Sequence, residues 1–372
     1  MPIARGTKPI VLVACLVACS AFIVAMSLTR RAPLEKTAPE AWAALETQDA
    51  EQAAALFNKE LEQRPNDPVL HFGAAAAARA LGRSSAALAS LRKSIELEPD
   101  FPEAHAMLGQ LAYERGDITA AIQSMERASA LRPREQSFRE PLERWRRESS
   151  VHGSYLEKSA ENFRILYEGG TQQSIGDRVA RVLEREYSRI GRTLNTLPRE
   201  PLTVVLYTNR EFHDITRSPS WATGNYDGRI RIAVGGALSS RDLDRVVTHE
   251  LVHAFVATAA SRRVPAWLDE GLATYLEAND VRWASHVVRN SSAILPLESL
   301  VSGFTGFDEQ AALVAYAESA IAAEILCSQL GSNIGAFLAL VGNGRSVDDA
   351  LLEYQLQPNA FHSEWRRRVG LQ

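Results

Sequence analysis

The sequence predicts a multidomain protein: one N-terminal transmembrane helix, an all-α repeat solenoid, and an α+β domain that ends in a helical lobe. Three observations predict it. Residues 10–28 form a run of nineteen positions without a charge. Proline, glycine and alanine then recur at a spacing of 34 residues. From about residue 159, short alternating segments are interleaved with longer amphipathic ones. The length of 372 residues fits two or three domains. With 46% apolar and 23% charged residues, wholesale disorder is excluded. A net charge of -4, from 41 basic and 45 acidic residues, shows none of the basic excess of a nucleic-acid protein, so no nucleic-acid partner is expected. Three cysteines, two of them in the apolar run, exclude a disulfide scaffold.

The first element, residues 1–31, is read as a signal anchor. Nineteen helical residues span roughly 28 Å, close to the ~30 Å hydrocarbon core. Arg5 and Lys8 precede the run, and Arg30 and Arg31 follow it. Two alternatives stay open. One is a cleaved signal peptide, although its apolar region is usually about 7–15 residues. The other is a lipoprotein signal, because residues 16–19 (LVAC) resemble a lipobox. The expected placement is membrane-anchored, single pass, with the body outside the cytoplasm (the periplasm if the source is bacterial).

The second element, residues 37–147, is the repeat. Pro65, Pro99 and Pro133 share the period of 34, as do Gly82 with Gly116, Ala87 with Ala121, and His71 with His105. Each unit reads as helix, glycine turn, helix and proline stop. The array resembles the tetratricopeptide repeat family at Gly82, Ala86 or Ala87, Leu91, Ser94 and Pro99, and again at Gly116, Ala120, Met125, Ala128 and Pro133. The resemblance implies a groove that holds a protein partner or peptide. The two histidines read as structural. Residues 136–147 read as a capping helix with Phe138, Leu142 and Trp145 on one stripe, and residues 148–153 as a polar boundary.

The third element, residues 154–372, carries the chemistry. Residues 162–167, 202–207 and 229–234 read as strands, 174–194 as a helix, and 217–228 as a loop. A helix capped at Ser239 or Ser240 carries His249, Glu250 and His253. Positions four apart share a helix face, so both imidazoles can reach one ion, with Glu250 beside it. A zinc site needs a third protein ligand. Glu270 lies on a following amphipathic helix, seventeen residues after His253, with the short Gly271 and Ala273 permitting close packing near the first helix. Asp269 is a candidate acceptor for a histidine N–H. Four further helices are expected within residues 308–369.

His249-Glu250-x-x-His253 followed by Trp267-Leu268-Asp269-Glu270-Gly271-Leu272-Ala273 resembles the gluzincin metallopeptidases, the thermolysin-like (zincin) superfamily. The resemblance is nearest to peptidase-MA-like domains that follow tetratricopeptide repeats. It implies one Zn2+ per chain held by His249, His253 and Glu270, with Glu250 as general base. It implies an edge strand near residues 230–234 that pairs with an extended peptide substrate. It also implies a Tyr-x-x-Ser element, here Tyr316 to Ser319, whose tyrosine steadies the oxyanion. Some relatives place an acidic residue four after the ligand glutamate, where this chain has Thr274. The expected function is a membrane-anchored zinc metallopeptidase acting on a protein or peptide. The alternatives are a non-catalytic repeat scaffold with a relic zinc domain, and a hydrolase of another bond using the same chemistry.

Overall fold

The computed structural model describes residues 37–371, apart from positions 48, 154, 219–221, 236–238, 261–263, 279, 292 and 305. The expected membrane helix lies outside the described residues.

Three helix pairs come first: α1 (Pro39–Glu46) with α2 (Ala50–Gln63), α3 (Pro68–Ala80) with α4 (Ser84–Leu97), and α5 (Pro102–Glu114) with α6 (Ile118–Leu131). Local chemistry starts and stops them. Pro68 and Pro102 open α3 and α5, where a missing N–H leaves nothing unsatisfied. Asp49, Asp67 and Asp117 cap α2, α3 and α6 by accepting backbone N–H bonds. Gly82 and Gly116 turn the chain with φ of 66° and 86°, which a side chain would resist. The period also has a polar joint. Nε2 of His71 lies 2.8 Å from the carbonyl of Pro65, and His105 repeats this to Pro99. The helix α7 (Gln136–His152) covers the last pair with Phe138, Leu142 and Trp145, as the stripe predicts. It continues past 147, and Glu148, expected in a polar boundary, is fully buried.

The mixed α/β region follows with β1 (Tyr155–Ser159), β2 (Phe163–Glu168), α8 (Gln173–Leu194), β3 (Leu202–Tyr207), α9 (Asn209–Thr216), β4 (Gly224–Tyr226) and β5 (Ile230–Ala233). The sheet order is β1-β2-β3-β5-β4. The central three strands are parallel, and β1 and β4 run antiparallel at the two edges. This corrects the expected edge: β5, at residues 230–233, is internal, and the edge beyond it is β4. That strand falls inside the segment read as a loop. Three residues are too few to show a period of two. Ile165, Val204, Leu206, Ile230 and Ile232 point to one face, in a core shared with α8. Val205, Tyr207 and Ala233 point to the other, against Phe212 and Ile215 of α9, with Val151 of α7 packed on.

Seven helices complete the fold: α10 (Ser240–Ala259), α11 (Ala266–Ala278), α12 (Arg282–Arg289), α13 (Glu309–Leu330), α14 (Ile334–Gly342), α15 (Val347–Glu353) and α16 (Pro358–Val369). The span Glu309–Gly342 is long and apolar enough to cross a membrane, with a mean hydropathy of 1.5. In the fold α13 packs against α11, α12 and α16 and is buried nearly all round, as a helix without a polar face must be.

Candidate metal centre

The site is built on two helices held at a short distance from a third. Ser239 caps α10 by accepting the Asp242 N–H, and every residue from Val246 to Val256 is then buried. Trp267, Leu268 and Leu272 anchor α11 in the same core. Gly271 serves a close approach, as its size suggests, but to α13 rather than α10. A Cβ there would stand 2.3 Å from the Ser319 carbonyl oxygen.

These helices bring His249, His253 and Glu270 together, with one ligand atom of each within 4.8 Å of the others. Nε2 of His249 is 3.3 Å from Glu270 Oε2, and Nε2 of His253 is 3.6 Å from the same oxygen. Donors about 2.0–2.1 Å from a tetrahedral ion stand about 3.3 Å apart, so the spacing suits one. The orientation suits it too. His253 Nδ1 is bonded to Asp269 Oδ1 at 2.7 Å, and His249 Nδ1 to Glu277 Oε2 at 3.0 Å. A carboxylate at Nδ1 takes up that N–H and leaves the Nε2 lone pair for a metal. His249 Nε2 and Glu270 Oε2 are buried with no hydrogen-bond partner, so their close approach is a convergence and not a bond. Two imidazoles and one carboxylate are a zinc donor set, and the residues fit the ion.

The structure places Asp269, the candidate acceptor, against Nδ1 of His253. Sequence reasoning did not assign Glu277 such a role. It is one full double turn after Glu270, on the same helix face, and that spacing was the signal for it. It also pairs with Arg245. Thr274, at the position where some relatives carry an acid, is buried and bonds neither histidine.

Glu250 lies in the same pocket of charge, fully buried, with neither carboxylate oxygen hydrogen-bonded. Burial pushes its pKa up to about 8. For His249, burial pulls the pKa down, but the carboxylates of Glu270 and Glu277 outweigh it and lift it to about 9. Burial acts against the Glu270 carboxylate as well, yet the two imidazoles hold it below the usual range. Above Glu250 runs β4. A Cβ on Gly224 would come within 2.3 Å of Glu250 Oε1, so a larger residue there must displace the Glu250 side chain or the strand. Sequence reasoning missed Gly224, although a glycine in a strand is a known sign of close approach. Tyr316 is buried on α13 with its ring 6.4 Å from that of His249 and 5.1 Å from Phe304. Three other histidines of this region have partners elsewhere: His362 pairs with Asp348, His286 meets Asn290, and His213 packs on Phe212.

Comparison with known proteins bears directly on this arrangement. Residues 188–370 match the model of the Peptidase MA superfamily, and residues 44–111 and 78–139 match a tetratricopeptide repeat model. The chain carries a Peptidase MA superfamily domain preceded by tetratricopeptide repeats. No curated protein matches the chain. Solved structures include the first tetratricopeptide domain of Spaghetti (RPAP3) bound to an HSP90 peptide, at 16% identity over 32% of this chain and 93% of that one, with a TM-score of 0.30. The Sgt2 tetratricopeptide domain from Aspergillus fumigatus matches at 19% identity over 38% and 93%, with a TM-score of 0.31. The myosin chaperone UNC-45 from C. elegans, in complex with an Hsp90 peptide, matches at 12% identity over 90% and 28%, with a TM-score of 0.30. The Peptidase MA match spans α10, α11 and α13, and so contains all of the clustered residues.

Proposed function

We propose that this protein is a zinc-dependent metallopeptidase that hydrolyses peptide bonds, with its repeats holding a protein partner or substrate. The observation that carries the reading is the convergence of His249, His253 and Glu270 beside a buried, unbonded Glu250 under the sheet edge. Zinc held by the three ligands supplies Lewis-acid activation of water and of the scissile carbonyl. The protein's own groups do the rest. Asp269 and Glu277 hold the ligand imidazoles in one tautomer and one orientation. Glu250 takes the proton of the attacking water at its carboxylate and hands it to the leaving amine, work worth about 10²–10⁴-fold. The outer edge of β4, last strand of the sheet among the described residues, would offer backbone groups to an extended peptide. Tyr316, close to His249, is the candidate donor to the oxyanion. The apolar run at residues 10–28 supports a membrane anchor that keeps this unit at a bilayer surface, outside the cytoplasm.

The test is turnover of a mixed peptide library by the purified protein, read by mass spectrometry, with and without chelator. The expected result is one zinc per chain, chelator-sensitive cleavage, and a Glu250→Gln variant that keeps its zinc but loses about 10²–10⁴-fold in rate. Protein with bound zinc and no cleavage of any peptide would return the chain to the scaffold reading.

A further inference from the structure

The repeats and the Peptidase MA domain meet through buried charge. Glu148, on the last turns of α7, accepts from Arg229 Nη1 at 2.8 Å, from Tyr113 OH at 2.5 Å and from Arg231 Nη2 at 3.2 Å. Arg229 also donates to the Tyr113 carbonyl at 3.1 and 2.9 Å, and its guanidinium lies 4.1 Å over the Tyr113 ring. That ring also stacks on Trp145, with centroids 4.6 Å apart. Arg229 and Arg231 are each 1% exposed. Two buried cations are tolerable only with well-placed partners, and those partners come from α5 and α7.

The cluster continues into the catalytic edge. Arg231 is the cross-strand neighbour of Asn225 in β4, and it pairs with Asp227 in the turn between β4 and β5. Arg144 of α7 reaches the same Asp227 at 3.1 Å. The β4–β5 turn is thus gripped from the repeat side at Asp227 and at Arg231. On its other side β4 rests against Glu250 through Gly224. Among the described residues β4 has one sheet neighbour, β5, and a three-residue edge strand is short of hydrogen bonds of its own.

We propose that Glu148 is a positioning residue for the catalytic site: acting through Arg231 and Asp227, it sets the height of β4 above Glu250. The repeat domain then supplies part of the peptide-binding edge and is more than a tether for substrates. The kinetic part of this proposal rests on the metallopeptidase reading; the structural part does not. An apolar patch would join two domains as firmly. Directional bonds to one carboxylate add a fixed position, which is what an edge strand needs if it is to receive a peptide.

The experiment uses the full chain with Glu148→Gln, which keeps the shape and removes the charge. Asp227→Asn is the second variant, at the other end of the same grip. Backbone amide exchange is followed across the domain, alongside zinc content and steady-state kinetics. The expected result is exchange about tenfold faster at residues 224–226, with residues 246–256 still protected. KM for a peptide rises about tenfold while kcat stays within about twofold, the signature of lost binding without lost chemistry. Exchange unchanged at residues 224–226 in both variants overturns the proposal. So does exchange accelerated equally through the whole domain, because that is the mark of general destabilisation. If the parent protein binds zinc and cleaves nothing, the metallopeptidase reading falls, and the exchange result still decides the positioning.

Discussion

Replacing Gly224 by alanine drives a methyl group at the Glu250 carboxylate. The added Cβ would stand 2.3 Å from Oε1, 2.8 Å from Cγ and 2.9 Å from Cδ, where ordinary contact begins at 3.4 Å. The carboxylate, or the strand, must therefore withdraw by roughly 1 Å, a misplacement that typically costs about 10²-fold in rate. That is about 2.7 kcal/mol of transition-state stabilisation, and it lies at the lower end of what a general base contributes. Overpacking adds about 1–3 kcal/mol of destabilisation. The three atoms nearest the new methyl all belong to Glu250, so the proposed zinc ligands are expected to keep their places. The assay measures peptide turnover, zinc per chain and melting temperature on the same preparation. The expected outcome is one zinc, a modest fall in melting temperature, and kcat/KM down about 10²-fold. A variant that keeps its zinc and turns over within about threefold of the parent would refute the placement of the base beneath β4.

Two further outcomes follow from the same geometry. Glu277→Gln removes the charged acceptor at His249 Nδ1 and should weaken zinc affinity about 10–100-fold, measured by competition with a chromogenic chelator. Glu318 is buried on α13, and burial lifts its pKa to about 7 although the Leu295 N–H bond pulls the other way. The folded state therefore binds a proton that the unfolded chain releases near pH 4.5. Its contribution is fully present below that pH and fades as pH rises through 7. Glu318→Gln should flatten that slope, by up to about 3 kcal/mol, in urea unfolding followed from pH 4.5 to 8.

Much of this was legible in the residues. Repetition at 34 exposes the helix pairs, because each pair must bury the same face against the next. Two histidines four apart on an amphipathic helix, and a glutamate on the helix that follows, point to a metal because few other folds need that pattern. What stayed hidden depends on contacts between distant segments. The Arg-Ile alternation of residues 229–232 says that two faces differ, and solvent is the usual occupant of the arginine face. Here that face meets α5 and α7, and both arginines are buried. β4 is too short to show its period, and α9 and α12 are eight residues each, with little room for one. Glu277 could be seen to share a face with Glu270, but its target, the far nitrogen of His249, becomes visible only once α10 and α11 are packed.

The Tyr113–Glu148–Arg229–Arg231 cluster also bears on how such a chain can be recombined. Tandem arrangements of repeats and enzymes are often treated as beads that can be exchanged. A cut at residue 153 would here leave Arg229 without a carboxylate, leave Arg231 with Asp227 alone, and strip Val151 from the apolar side of β3 and β5. A transplanted repeat array would have to bring its own glutamate and tyrosine at the same heights, or the graft would fail at the seam. The heritable unit is therefore the pair: the last repeat with its cap, and the sheet it grips.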